Sequence, residues 1–323
     1  MQGRRRRFLG ALGAALGCSM LPIRQLYARA PLRMLVGFAP GGAVDLVARG
    51  LAEGMRTQGY TTIVENKSGA GGRIAVDALL AAGGEGNSVL LTPSTNLTLY
   101  PHLYKNLGYT PHDFTPLGTA SEFVFGFAVG ADSPAQTLQD FLALAQRDAR
   151  VAVYGTPGAG TVMSFLGAML AKASHVPLTA VPYKGGSLAL SDTVGGTLPS
   201  LITTLPNLIP MHKAGKIRIL ATTGRASSPS VPDVPTFAAA GYPDLTMTEY
   251  FALLGHKHMS REAAQALSQT VIDAVGSPVF EQAMRQLYFL PKATTSEALK
   301  QQLDKGYTFW RQIVQDSGYT PEI

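Results

Sequence analysis

Cysteine occurs once in this sequence of 323 residues, at Cys18. With its one thiol inside a leader-like segment, the folded body has no disulfide framework, no thiolate nucleophile and no sulfur metal site. Charge is sparse too, at 15% of residues, and badly distributed for a nucleic-acid partner. The formal net charge is +6, but six of the 27 lysines and arginines (Arg4, Arg5, Arg6, Arg7, Arg24 and Arg29) fall in residues 1–30, where there is no acid. The remaining 21 basic residues balance 21 acidic ones. No basic stripe survives, which excludes nucleic acid as the expected partner. Long apolar runs are missing after residue 30, so no membrane-spanning helix is expected. Catalytic and nucleotide signatures are absent as well: GxSxG, SxxK, HExxH, CxxC and GxxxxGK[ST] do not occur.

The first 30 residues read as an export signal: a basic start, the apolar run Phe8–Met20, then small residues at Ala28 and Ala30 where cleavage is expected. The run of about 13 residues is too short to span a bilayer. "RRRRFLG" resembles a twin-arginine signal, with Arg5-Arg6 as the pair and Phe8-Leu9 following. "ALGC" around Cys18 is a weak lipobox. The expected location is periplasmic.

What the chain does have is glycine, 35 residues of it, placed where strands give way to helices. Apolar runs predict strands over 33–38, 61–64, 88–92, 123–129, 150–154, 178–182, 198–203, 216–222 and 248–254. Helical spacing predicts helices beginning near Ala43, Gly72, Thr137, Gly160, Gly186, Pro206, Val234, Ser260, Pro278 and Thr295. The alternation argues for α/β architecture with largely parallel sheets. "FAPGGAVD" (38–45), "ENKSGAGGRI" (65–74), "YGTPGAGTVM" (154–163) and "VPYKGGSLA" (181–189) are joints of one kind. Glycine permits close backbone approach, and a helix N-terminus offers unpaired N–H groups and a partial positive charge. Such a joint receives an anion without a charged side chain, and in open α/β sheets it lies where ligands bind.

The rival readings are weaker. "GAGGRI" and "GTPGAGTVM" approach GxGxxG, but Ile74 and Met163 stand at the third glycine, and no acid follows at the ribose spacing. His256 and His258 form an HxH pair without an evident third ligand, so no metal and no cofactor are expected. Asp45, in the first turn after "PGG", supports the helix N-terminus in preference to acting as a base. Tyr183-Lys184 orients an anion or faces water.

Seven segments in order carry a resemblance: "VGFAPGGAVDLVARGLAEGM", "TIVENKSGAGGRIAVDAL", "DFTPLGTA", "VAVYGTPGAGTVMSFLGAML", "VPYKGGSLALSDTVGG", "LPNLIPMHKAGKIRILATTG" and "VPDVPTFAAAGYPDL". Together, over about residues 31–320, they resemble the Bug family, extracytoplasmic receptors of tripartite tricarboxylate transporters. The resemblance implies a two-lobed type II periplasmic-binding-protein fold with a ligand cleft between the lobes. Two hinge strands join them, placed at Phe123–Val129 and Thr248–Leu254. Lobe one is then 31–124 plus 249–323, and lobe two is 125–248. It further implies a non-catalytic monomer that captures a small carboxylate and delivers it to a membrane permease. A membrane sensor is the alternative partner. An α/β enzyme using Asp45 or Lys184 is the other.

Carried over position by position, the first ligand loop is Phe38, Ala39, Gly41, Gly42, Ala43 and Val44, with Asp45 supporting the helix. Ser94, Thr95 and Asn96 follow the third strand. The second loop is Tyr154, Gly155, Thr156, Gly158, Ala159, Gly160 and Thr161. Tyr183, Lys184 and Gly185 form the next joint, and Thr203-Thr204 end another strand. Three departures matter. Val44 stands where relatives often carry a hydroxyl, Ser164 where they often carry histidine, and no acid lies near Thr203-Thr204. The missing acid argues against a ligand amine. Val44, Phe38 and Tyr183 suggest a mono- or dicarboxylate with an apolar or aromatic body.

Overall fold

The computed structural model describes residues 30–183 and 185–317. The expected export signal, apart from Ala30, and Lys184 lie outside the described residues. In chain order the elements are β1 (Leu32–Val36), α1 (Ala43–Arg56), β2 (Thr62–Asn66), α2 (Arg73–Ala82), β3 (Ser88–Pro93), α3 (Thr95–Thr98) and α4 (Tyr100–Leu103). Then come β4 (Phe114–Phe123), β5 (Phe125–Gly130), α5 (Leu138–Arg147), β6 (Val153–Thr156), α6 (Val162–Ser174), β7 (Thr179–Pro182), α7 (Gly186–Val194), β8 (Ser200–Thr204), α8 (Leu205–Lys213) and β9 (Ile217–Thr222). The chain ends with β10 (Glu249–His256), α9 (Arg261–Val275), α10 (Pro278–Gln286), β11 (Leu290–Pro291) and α11 (Ser296–Ser317).

These strands form two sheets. One runs β11-β4-β10-β3-β1-β2 and the other β7-β6-β8-β5-β9. Every strand of the second sheet lies between residues 125 and 222, and every strand of the first lies outside that span. The expectation of largely parallel sheets needs correction. β1 pairs in parallel with β2 and β3, and β6 with β7 and β8. The pairs built on β4, β5 and β10 are all antiparallel. The parallel pairs come from strand–helix–strand crossovers, whereas the antiparallel ones use strands that arrive at the sheet from its far end.

A second correction concerns the first crossing. The run 123–129 is not one strand. β4 ends at Phe123, Val124 intervenes, and β5 begins at Phe125 in the other sheet. An apolar run cannot show that its pairing partner changes midway. Aromatic packing marks the joint: the Phe123 ring lies 4.7 Å from Phe251, 5.7 Å from Phe289 and 5.8 Å from Phe125. The start of β4 was not anticipated, because Pro116 and Gly118 disguise it. No helix begins near Val234. That stretch turns back on β9, where Phe237 N–H donates to Thr222 O and Thr222 bridges Thr236.

The helices follow their sequence signals more closely. α5 starts at a reciprocal cap, Thr137 with Asp140, and α9 and α10 start at Ser260 and Ser277. α1 buries Val44, Val47, Ala48, Leu51 and Met55 on one face, the spacing an amphipathic helix needs. α11 packs on β4 and α3 and reaches α6, where Trp310 meets Phe165 edge-on at 6.0 Å between ring centroids. One helix thus touches elements flanking both sheets.

Candidate functional site

Because β2, β1 and β3 lie side by side and parallel, the loops that leave them share one edge of the first sheet. The loop after β1 is held from below by Asp45, which is 1% exposed. Its carboxylate accepts from Gly41 N–H at 2.8 Å, Asn66 Nδ2 at 2.8 Å and Arg49 Nε at 2.9 Å. Burial pushes this carboxyl up, but the bonds from Arg49, Gly41 and Asn66 outweigh it and hold it below its ordinary value. Asn66 also donates to Phe38 O at 3.0 Å, so the end of β2 braces the loop after β1. Gly41 adopts φ +77°, which a side chain would strain. Its N–H is already engaged by Asp45, so Gly41 shapes the loop and leaves donation to the first turn of α1, beginning at Ala43.

The loop after β2 folds onto this one. Gly72 takes φ +96°, and a Cβ there would lie 2.9 Å from Asn96 Nδ2 and 3.2 Å from the Phe38 ring. Phe38, Gly72 and Asn96 therefore converge, although they come from three different joints. Asn96 is 1% exposed, and among the described residues neither of its amide atoms has a hydrogen-bond partner. A buried amide with neither end satisfied needs an explanation, and a bound polar group or water supplies one.

The second sheet repeats the arrangement. β7, β6 and β8 are parallel neighbours, and their exits share one edge. Thr161 caps α6, accepting from Ser164 N–H. Its hydroxyl and that of Ser164 both reach Gly158 O, at 2.9 Å and 3.0 Å, which fixes the 157–161 loop. Gly185 N–H donates to Pro157 O at 3.0 Å and so ties the next joint to this one. A Cβ on Gly186 would lie 2.8 Å from Thr203 Oγ1. The hydroxyls of Thr203 and Thr204 are buried without partners among the described residues.

Some candidates fall away as side-chain contacts. Tyr154 is 2% exposed, with its ring against Gly167 and its hydroxyl donating to Ser164 O at 2.9 Å. It is a core residue of the second sheet. Val44 is likewise buried, among core side chains under α1, so it does not set the polarity of a ligand pocket. Thr156 is wholly buried and donates to Gly158 O. Tyr183 stays half-buried, but its hydroxyl donates to Asp192. Ala39 and Ala159 are exposed at their loop tips, and Gly42, Gly158 and Gly160 are partly so.

Sequence reasoning missed Glu249. It opens β10, is 5% exposed, and accepts from Ser94 Oγ and from Tyr250 N–H. Burial pushes its carboxyl up to about 7 against the pull of these bonds. A lone acid at a strand start carries no sequence signal. With Ser94 it lines a cavity of about 480 Å³ whose walls include Phe125, Val162, Arg225 and Trp310. A larger cavity of about 830 Å³, between residues 104–113 and α11, contains none of the predicted site residues.

Comparison with known proteins gives a consistent result. Residues 47–319 match the family described as tripartite tricarboxylate transporter family receptor. The structure of the periplasmic binding protein BugD is 29% identical, with a TM-score of 0.82 over 92% of this chain and 100% of that one. Rpa4515 of R. palustris, solved with adipate, is 24% identical, with a TM-score of 0.84 over 92% of this chain and 100% of that one. MatC of Rhodopseudomonas palustris, solved with malate, is 24% identical, with a TM-score of 0.79 over 88% of this chain and 98% of that one.

Proposed function

The chain belongs to the tripartite tricarboxylate transporter family of receptors, and from that premise we propose that it is a periplasmic, non-catalytic receptor for a small dicarboxylate. The ligand sits between the two loop clusters, and the two sheets act as lobes, 31–124 plus 249–323 and 125–248, that close on it. The closed form is presented to a membrane permease. The leader, with its twin-arginine pattern, exports the chain.

The observation that carries this reading is the set of buried polar groups without partners among the described residues at both loop edges: the Asn96 amide on one side, and the Thr203 and Thr204 hydroxyls on the other. They accompany helix N-termini whose caps are glycine at α1, α2 and α7. Backbone donors and neutral hydroxyls suit a carboxylate. Neighbours solved with adipate and with malate are dicarboxylate complexes. The Phe38 ring beside Asn96 favours a ligand with an apolar stretch between its carboxylates. Closure needs only that the ligand bind the closed form better than the open one.

Thermal unfolding of the purified protein against adipate, malate, citrate, benzoate, terephthalate, acidic amino acids and nucleotides tests this. A ligand at 100 times its Kd adds about 2.7 kcal/mol. A shift with adipate and none with nucleotides is expected. A shift with nucleotides alone would refute the carboxylate reading.

A further inference from the structure

Glu249 sits where β10 begins beside the loop that follows β3. Ser94 is bound to β10 twice, through its N–H to Tyr250 O at 3.0 Å and through its hydroxyl to the Glu249 carboxyl. Ser94 O then accepts from the N–H groups of Leu97 and Thr98, anchoring the turn that carries Thr95 and Asn96. Glu249 thus lies buried directly behind the loop proposed to hold an anion. Its donors are Ser94, Tyr250 and Thr95, and among the described residues no cation is one of the groups that act on it. Across the same cavity stand Glu122 from β4, Tyr250 beside it on β10, Arg225 from the segment after β9, and Gln302 and Lys305 from α11.

An ionised carboxylate buried at this point adds negative potential where an anion is to bind, in surroundings that screen it poorly. We propose that Glu249 is a proton-linked positioning residue of the site, so that the receptor takes up a proton from solvent onto Glu249 as it binds its carboxylate ligand. The inference rests on the carboxylate reading above. It goes further in assigning a coupled proton, and linkage makes the coupling reciprocal: ligand raises proton affinity as much as the proton raises ligand affinity. In the free protein burial already lifts this carboxyl to about 7, so the exchange falls in the physiological range. The hydrogen bonds survive it, because a neutral carboxyl still accepts from Ser94 and Tyr250 through its carbonyl oxygen.

The test is titration calorimetry with adipate, and with malate if adipate gives no heat, at pH 7 in two buffers of different ionisation enthalpy. A net uptake of a fraction of a proton is expected for the native protein and none for Glu249→Gln. If binding raises the carboxyl by a further pH unit or so, native affinity is about fivefold weaker at pH 8 than at pH 6. The Glu249→Gln profile is flat. Binding with no proton uptake, or equal uptake in the variant, overturns the proposal and leaves the carboxylate reading standing. No binding of either dicarboxylate removes both. Should Glu249→Gln fail to fold, Ser94→Ala serves. It deletes a donor to the carboxylate, so the uptake window must move to higher pH, and an unmoved window overturns the assignment.

Discussion

Replacing Gly72 with alanine separates a backbone requirement from a site requirement. Gly72 adopts φ +96°, and a Cβ would stand 2.9 Å from Asn96 Nδ2 and 3.2 Å from the Phe38 ring. The positive φ alone costs about 1–2 kcal/mol. Crowding a packed region costs about 1–3 kcal/mol more, so Gly72→Ala loses roughly 2–5 kcal/mol in all. Gly215 provides the control. It has φ +68° and nothing within 4 Å of its added Cβ, so Gly215→Ala carries the strain without the crowding. At about 2–4 °C per kcal/mol, thermal unfolding should place Gly72→Ala well below Gly215→Ala. The decisive comparison is in binding. The new methyl displaces Asn96 and Phe38, so Gly72→Ala should weaken adipate binding at least tenfold, while Gly215→Ala leaves it unchanged. Equal affinities in the two variants would refute the convergence of the three joints on one ligand.

Three further outcomes follow from particular contacts. Asn96→Ala deletes a buried amide with no partner among the described residues; stability should change by less than about 1 kcal/mol while calorimetric affinity for the dicarboxylate falls. The carboxyl of Asp113 is held down to about 2 by Lys257 first and by Thr110, so this stabilisation is complete above about pH 4 and disappears as the pH falls through about 2. Lys257→Ala should cost about 1 kcal/mol at pH 6, allowing for the half-exposed lysine, and clearly less at pH 2, where the carboxyl is half protonated, read by urea unfolding at both. Trp310→Ala opens the contact between α11 and Phe165 and should cost about 3–5 kcal/mol in denaturant unfolding; a loss below 1 kcal/mol would mean that α11 does not brace α6.

Much of this was legible because glycine placement and helical spacing are local signals. The joint "FAPGGAVD" announces strand, loop and helix within eight residues, and α1 starts at Ala43 as its spacing requires. The glycine joints of both sheets could be read for the same reason. What could not be read depends on direction or on distant partners. Tyr154 and Phe38 are both aromatics at strand ends. Only the fold shows that one points into the core and the other meets Gly72 and Asn96. The break at Val124 is invisible because both halves of the run are apolar, and only their pairing differs. Glu249 is the deepest omission. Its significance comes from Ser94, 155 residues earlier.

These placements account for a feature of the loops that sequence alone makes puzzling: an anion site with acids behind it. Asp45 and Glu249 are both buried under loops offered to a carboxylate, which looks unfavourable on charge alone. Their environments resolve it in opposite ways. Asp45 is matched by Arg49 and by two further donors, so its charge is locally compensated and it stays ionised as a fixed brace for Gly41. Glu249 has donors but, among the described residues, no cation bonded to it, and burial drives it toward neutrality. One acid is therefore permanent structure and the other is adjustable. The difference follows from a single arginine one helical turn beyond Asp45, with no counterpart among the groups that act on Glu249. A cation introduced beside Glu249 would therefore fix it ionised, as Arg49 fixes Asp45, and should abolish the proton uptake that accompanies ligand binding at neutral pH.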